Sequence, residues 1–162
     1  MHTRQATLAD AAAIRAVYAP YVENTTYSFE LKVPTLEEVC ARMTRHPGHP
    51  WLVAEASTEI LGYAYAWPFE DREGYRLTVE TSIFLRQDRI GSGVGRQLYA
   101  DLLAALKDKG FATAVARIAL PNSPSERLHE RLGFKKVAHF ERIGYKMDRW
   151  IDVGYWQCWL QG

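Results

Sequence analysis

Arg89-Ile90-Gly91-Ser92-Gly93-Val94-Gly95-Arg96 stands between an alternating apolar segment and a run with leucines at helical spacing. Its three glycines occupy alternate positions. Backbone N–H groups there can turn toward one point, and a bulky anion approaching them meets no Cβ. The helix that follows adds its positive N-terminal end. A phosphate or pyrophosphate is therefore favoured over residues 91–96, the bland alternative being a flexible strand-to-helix turn without a ligand. Two common phosphate motifs do not fit. Gly95 is followed by Arg96-Gln97 where a Walker loop needs Lys-Ser/Thr, and Arg96 occupies the place of the third glycine of a dinucleotide fingerprint.

Working downstream, Leu98, Leu102, Leu103 and Leu106 stripe a helix over 94–109, with Gly110 at the position of a C-terminal cap. Residues 112–120 are expected to form a strand. Ser123-Pro124-Ser125-Glu126 combines a capping serine, a first-turn proline and a glutamate three residues on, which starts a second helix that Gly133 ends. Two strands follow over 134–143 and 152–160. Upstream, residues 75–85 alternate, with Arg76, Thr78, Glu80, Ser82 and Phe84 on the polar face. Residues 51–56 and 60–67 make a hairpin through Ser57-Thr58-Glu59. Capping boxes open helices at Thr7 and Thr35. Pro20 is expected to stop the first, and Leu36, Val39, Cys40 and Met43 share one face of the second. With a short strand at 3–6, the order is β-α-α-β-β-β-α-β-α-β-β. This is an α/β fold with a single mixed sheet flanked by helices. The longest irregular stretch is expected at 68–74.

The 162 residues suit one domain spanning 1–162. Lys+Arg total 20 and Asp+Glu 19, a net charge of +1, which lacks the basic footprint of a nucleic-acid binder. No apolar run approaches a membrane span. The cysteines Cys40 and Cys158 are far apart, against both a disulfide framework and a zinc site. His2, His46, His49 and His139 form no metal-ligand pattern. With no signal-like start, a reducing, cytoplasmic setting is the default.

Parallel strands joined by the leucine helix would bring Asn122 to the sheet edge that carries the glycine loop, where open α/β sheets bind ligands. Asn122 both donates and accepts, which suits an amide-rich ligand; an isolated asparagine is also commonly a helix cap. Here several spaced motifs agree. The glycine loop resembles the acetyl-coenzyme A pyrophosphate motif Gln/Arg-x-x-Gly-x-Gly/Ala of the GNAT acetyltransferase superfamily. Asn122-x-x-Ser125-x-x-Leu128-His129-Glu130-Arg131-Leu132-Gly133-Phe134 resembles its second coenzyme-binding region. Residues 24–30 (Asn-Thr-Thr-Tyr-Ser-Phe-Glu), 75–80 (Tyr-Arg-Leu-Thr-Val-Glu) and 149–152 (Arg-Trp-Ile-Asp) resemble the phosphinothricin N-acetyltransferase branch. That branch acetylates the α-amino group of small amino-acid analogues such as phosphinothricin and methionine sulfoximine or sulfone.

The resemblance implies the GNAT fold over essentially the whole chain, acetyl-CoA as acetyl donor, no metal, and a homodimer. It places the coenzyme on Ile83, Phe84, Leu85, Ile90, Gly91, Ser92, Gly93, Val94, Gly95, Arg96, Asn122 and Ser125. Ile90 departs from the motif's Gln/Arg, a gap for Arg89 or Arg96 to fill unless backbone N–H groups suffice. Acyl transfer to an amine needs a base, because only the free amine attacks. Glu80 matches the branch's proposed base; its alternative is a strand glutamate paired with Arg76 or another cation. The main-chain N–H of Leu85, or of a neighbour, would stabilise the oxyanion, through a strand bulge that the family has there. His129 matches a thiolate-protonating position and is otherwise a hydrogen-bonded helix histidine. Arg76, on the strand face of Glu80, would grip a substrate carboxylate or pair with Glu80 itself. Tyr27, Phe29 and Glu30 would line the acceptor pocket. Trp150, Tyr155, Trp156 and Trp159 mark a core strand or a subunit interface. Two other functions stay open: acetylation of a peptide, lysine or polyamine amine, and a coenzyme-binding sensor without chemistry.

Overall fold

The computed structural model describes residues 1–162. The strands are β1 (His2–Gln5), β2 (Trp51–Ala56), β3 (Glu59–Pro68), β4 (Thr78–Leu85), β5 (Thr113–Ala119), β6 (Lys135–Lys146) and β7 (Arg149–Trp159). The helices are α1 (Ala11–Asn24), α2 (Leu36–Thr44), α3 (Val94–Asp108) and α4 (Ser123–Arg131). The element order is the one expected, and the strands form one seven-stranded sheet ordered β1-β2-β3-β4-β5-β7-β6. All neighbours are antiparallel except β4 and β5.

Alternation along β2 divides the core between the two sheet faces. Leu52 and Ala54 join Leu98, Leu102, Leu106 and Trp156 under α3, whereas Trp51 and Val53 join Ile14, Val17 and Val39 under α1 and α2. The leucine stripe read from the sequence is the inner face of α3, and each fully buried leucine adds about 1.5–3 kcal/mol. The β2–β3 turn takes positive φ at Ser57 (49°) and Thr58 (68°), the twist that a two-residue hairpin turn needs.

Several boundaries differ from expectation. Pro20 lies inside α1 instead of ending it. Tyr21 and Val22 just beyond it are buried, and their packing outweighs the one backbone donor that proline removes. Leu36 is exposed while Val39, Cys40 and Met43 pack inward. Asn122, not Ser123, caps α4: its side chain accepts from the Ser125 N–H at 3.4 Å, and Ser123 is already helical. The longest irregular stretch is residues 25–35, not 68–74.

That stretch is held by the β6–β7 turn. The buried Lys146 ammonium donates to the Ser28 carbonyl at 2.6 Å, and Arg149 Nη2 donates to Thr26 Oγ1 at 3.1 Å. Residues 24–30 and 149–152, which carry the family resemblance, thus meet through the Arg149–Thr26 bond across a separation of 123 residues.

Candidate active site

Strand β4 decides the site. Arg86 N–H donates to the Leu61 carbonyl at 2.9 Å, and Phe69 N–H donates to that of Thr78 at 3.3 Å. Bonded positions alternate along an antiparallel pair, so even-numbered β4 residues bond to β3 and odd-numbered ones turn their main-chain groups toward β5. Ala112 and Thr113 accordingly donate to the Leu77 carbonyl. Pairing with β5 ends at Glu80↔Val115. Beyond it the strands part; Thr81 N–H still reaches the last paired residue of β5, and the N–H groups of Ile83 and Leu85 open into the wedge between them. The expected strand bulge is absent, since β3–β4 pairing runs unbroken from Pro68↔Val79 to Gly62↔Leu85. Divergence of β5, not a bulge, frees these amides.

The glycine loop sits at the mouth of the wedge. Gly91 (φ 81°) and Gly93 (φ 92°) adopt the left-handed conformation that favours glycine. Gly93 caps α3, and the first bond within that helix runs from Gln97 N–H to the Gly93 carbonyl. Val94, Gly95 and Arg96 therefore keep main-chain N–H groups without a helical acceptor, at the positive end of a 15-residue helix. Gly95 serves a different purpose from the other two: a Cβ there would meet Leu85 Cδ1 at 3.0 Å, so it lets α3 close onto β4. Ile90 is exposed and Val94 is buried in the core, so Val94 can contribute only its backbone. The exposed Arg96 pairs with no carboxylate, whereas Arg89 leans on Asp88 at 3.7 Å. Ser92 Oγ is turned to the Arg89 carbonyl, 2.6 Å.

On the opposite side of this loop, α4 presents Asn122 and Ser125 at its N-terminus. His129 is buried one turn on, its Nδ1 lying 2.7 Å from the Ser125 carbonyl. A carbonyl only accepts, so Nδ1 carries the proton. Burial lowers the pKa of the ring, opposed by that bond. Packed edge-on to Tyr99 and Phe134, the ring has the surroundings of the hydrogen-bonded helix histidine rather than those of a charged proton donor.

Next to the wedge lies an open cavity of about 560 Å³. Tyr65 and Trp67 of β3, Glu80 and Ser82 of β4, Arg117 of β5 and Arg42 of α2 face it. Glu80 is half-buried, and Arg117 Nη2 donates to Glu80 Oε2 at 2.8 Å. Burial raises the Glu80 pKa; the Arg117 charge and hydrogen bond oppose the rise without cancelling it. A carboxylate with a raised pKa inside a cleft has the form of a general base.

The sequence reading misplaced several residues around this cavity. Arg76 is not on the strand face of Glu80: β4 begins at Thr78, and Arg76 lies exposed on a 3₁₀ turn with its guanidinium directed to the Glu73 carbonyl at 3.3 Å. The cation beside Glu80 is Arg117. Tyr27 and Phe29 are exposed outside the cavity wall, and Phe29 lies over Gly144. Glu30 makes a bidentate pair with Arg42 (2.9 and 2.5 Å) and accepts from Tyr18 Oη. Its Arg42 partner fixes it below the ordinary carboxylate range, so it buttresses the wall as an anion. Arg42, Tyr65, Ser82 and Arg117 escaped the sequence reading. Ser82 shares the period-2 face of Glu80, and Arg117 is a lone charge in Thr113-Ala114-Val115-Ala116-Arg117-Ile118-Ala119; both signals were present.

An open sheet split between parallel strands, with free amides in the split and a glycine-rich helix start at its mouth, defines a transferase that holds an extended, anion-bearing donor. The family profile described as an acetyltransferase (GNAT) domain matches residues 3–154, and the chain belongs to that family. It is 39% identical over 155 residues to a phosphinothricin N-acetyltransferase of Streptomyces viridochromogenes, covering 95% of this chain and 85% of that protein. It is 38% identical over 157 residues to an L-methionine sulfoximine/L-methionine sulfone acetyltransferase of Pseudomonas aeruginosa, covering 95% and 91%. The structure of yncA from Salmonella typhimurium with its cofactor acetyl-CoA superposes with a TM-score of 0.97 at 32% identity, covering 100% and 95%. A GNAT superfamily phosphinothricin acetyltransferase from Sinorhizobium meliloti in complex with AcCoA gives 0.94 at 32% identity, covering 98% and 87%.

Proposed function

We propose that this acetyltransferase is a single domain that moves an acetyl group from acetyl-CoA to the α-amino group of a small amino-acid analogue of the phosphinothricin or methionine sulfone type, by direct attack. The reading rests on one observation: the half-buried carboxylate of Glu80 lies in an open cavity at the point where β4 and β5 part. The names of the relatives in the two bacteria above support the substrate class.

The chain's own groups fit such a donor. The N–H groups of Val94, Gly95 and Arg96, with Arg96's unpaired guanidinium, suit a pyrophosphate. The wedge suits an extended arm that adds to the free edge of β4, and the capping face of α4 with Asn122 and Ser125 closes the other side. Bound there, acetyl-CoA would supply the activated thioester. Glu80 then accepts the proton of the incoming ammonium, directly or through water. Leu85 or its neighbour Ile83 directs a main-chain N–H at the carbonyl oxygen as charge grows on it. Tyr65 and Trp67 flank the acceptor side.

We read the enzyme as a homodimer, supported by Tyr145, Trp150 and Trp159, which lie more than half exposed along the β6–β7 hairpin. The free thiols of Cys40 and Cys158 suit a reducing compartment such as the cytoplasm.

Thiol release from acetyl-CoA against a panel of amines tests the proposal. Turnover on L-methionine sulfone or phosphinothricin is expected. Turnover confined to peptides, lysine or polyamines replaces the substrate assignment, and coenzyme binding without turnover on any amine replaces the enzyme with a sensor.

A further inference from the structure

Three arginines face the cavity, and they differ in what occupies them. Arg42 is engaged by both oxygens of Glu30. Arg45 lies over the Trp67 ring, 5.7 Å from its centroid. Arg117 alone adjoins Glu80, with its guanidinium also 5.5 Å from the Tyr155 ring. The cavity's acids are Glu80, Glu70 and Asp71, so three cations face three anions and the wall is formally neutral. A neutral wall with one exposed, directly adjacent pair of opposite charges suits a ligand built the same way. An α-amino acid is such a ligand: its ammonium and carboxylate flank a single carbon. Arg117 is the more exposed partner, with 45% of its side chain accessible against 26% for Glu80, so the carboxylate end of a ligand reaches it from solvent.

We propose that Arg117 receives the α-carboxylate of the acceptor, the zwitterion docking by exchanging partners with the Glu80–Arg117 pair. The ammonium takes the place of Arg117 at Glu80, and the carboxylate takes the place of Glu80 at Arg117. This deepens the reading above and rests on its premise that the acceptor is an α-amino acid. It makes Arg117 the specificity-determining residue for amino acids over plain amines. Exchange also delivers the amine to the base while both partners of the pair stay neutralised, which a carboxylate-free amine cannot do. Arg76, the obvious rival, lies outside this wall.

The test compares kcat/KM for L-methionine sulfone with that for the primary amine of the same side chain lacking the carboxylate, in the full-length enzyme with acetyl-CoA. A ratio measured within one preparation is independent of the fraction folded. In Arg117→Ala and Arg117→Gln the preference for the amino acid is expected to fall about 10–100-fold, chiefly through KM, the size of a lost charge-assisted hydrogen bond; Arg117→Lys retains part of it. Calorimetric titration of Arg117→Gln with L-methionine sulfone in the presence of coenzyme A should show the same loss of affinity. An unchanged ratio, an equal fall for both amines, or unchanged affinity overturns the inference while the proposed function stands. Failure of the unaltered enzyme on every α-amino acid overturns the proposed function, and this inference with it.

Discussion

The Tyr21 hydroxyl donates to the Leu85 carbonyl at 2.6 Å, tying a helix to the last residue of β4. Leu85 is an odd-numbered position, so its carbonyl points into the wedge where β5 no longer supplies a partner. Without Tyr21 the end of β4 would be anchored on the β3 side alone. Phe84 is also clamped edge-on by Tyr18 and Tyr21, with ring centroids 4.9 and 5.1 Å away. The strand whose amides open into the wedge is therefore positioned from α1.

Tyr21→Phe keeps the ring contacts and removes the bond. A stability loss of about 0.5–1.5 kcal/mol is expected by urea denaturation. If Leu85 or Ile83 supplies the proposed oxyanion donor, kcat should fall further than that of Tyr18→Phe. Equal kcat in the two variants would show that the bond serves stability alone.

Glu80→Gln should lower kcat by about 10²–10⁴-fold. Burial raises the folded-state pKa of Glu80, so protonation switches off the base as pH falls. The acid limb of the kcat/KM profile should thus lie above the ordinary carboxylate range and vanish in the variant. The sign for stability is opposite to that of a stabilised carboxylate: folding favours the protonated form, and that gain is lost as pH rises through the folded value. Glu80→Gln should accordingly unfold with little loss of stability at neutral pH.

Gly93→Val forces a β-branched residue to φ 92° at the cap of α3 and sets a side chain where the donor's phosphates approach. Strain of about 1–3 kcal/mol and loss of detectable coenzyme A binding by titration calorimetry are expected. Ile90→Ala, on an exposed side chain, should bind with only a modest loss. Unchanged affinity in Gly93→Val would reject the cradle.

Asp10 joins β1 to the start of α1. Its two oxygens accept from Arg4 at 2.8 Å each, and the Thr7 N–H donates to it at 2.8 Å. Chiefly the Arg4 bond lowers its pKa, so this stabilisation is present above the usual aspartate value and disappears as pH falls through the depressed one. Asp10→Ala should cost about 1.5–3 kcal/mol near neutrality, the difference from the unaltered protein narrowing in acid. A pH-independent difference in midpoint would refute the assignment.

The hairpin, the leucine helix and the glycine loop were legible because each is encoded in one short continuous stretch: alternation, a 3.6-residue stripe, a cluster of small residues. Alternation put Glu80 on the polar face of its strand, but the expectation that it is a base came from the resemblance to the phosphinothricin branch and not from local spacing. Boundaries failed where a distant partner intervened. Pro20 does not end α1 because Tyr21 is held by Leu85, 64 residues away, and Arg76 left the strand because β3 pairing stops at Pro68↔Val79.

By itself the sequence determined the order of elements, the buried stripe of α3, the polar face of β4 and the loop able to receive an anion, since these follow from local spacing and side-chain chemistry. The tertiary structure decided that β7 enters between β5 and β6, that β4 and β5 part after Glu80, and that Arg117 rather than Arg76 stands beside Glu80. Those outcomes depend on which strands pair and where pairing ends. That is set by the sum of many long-range contacts, and no single stretch of chain contains it.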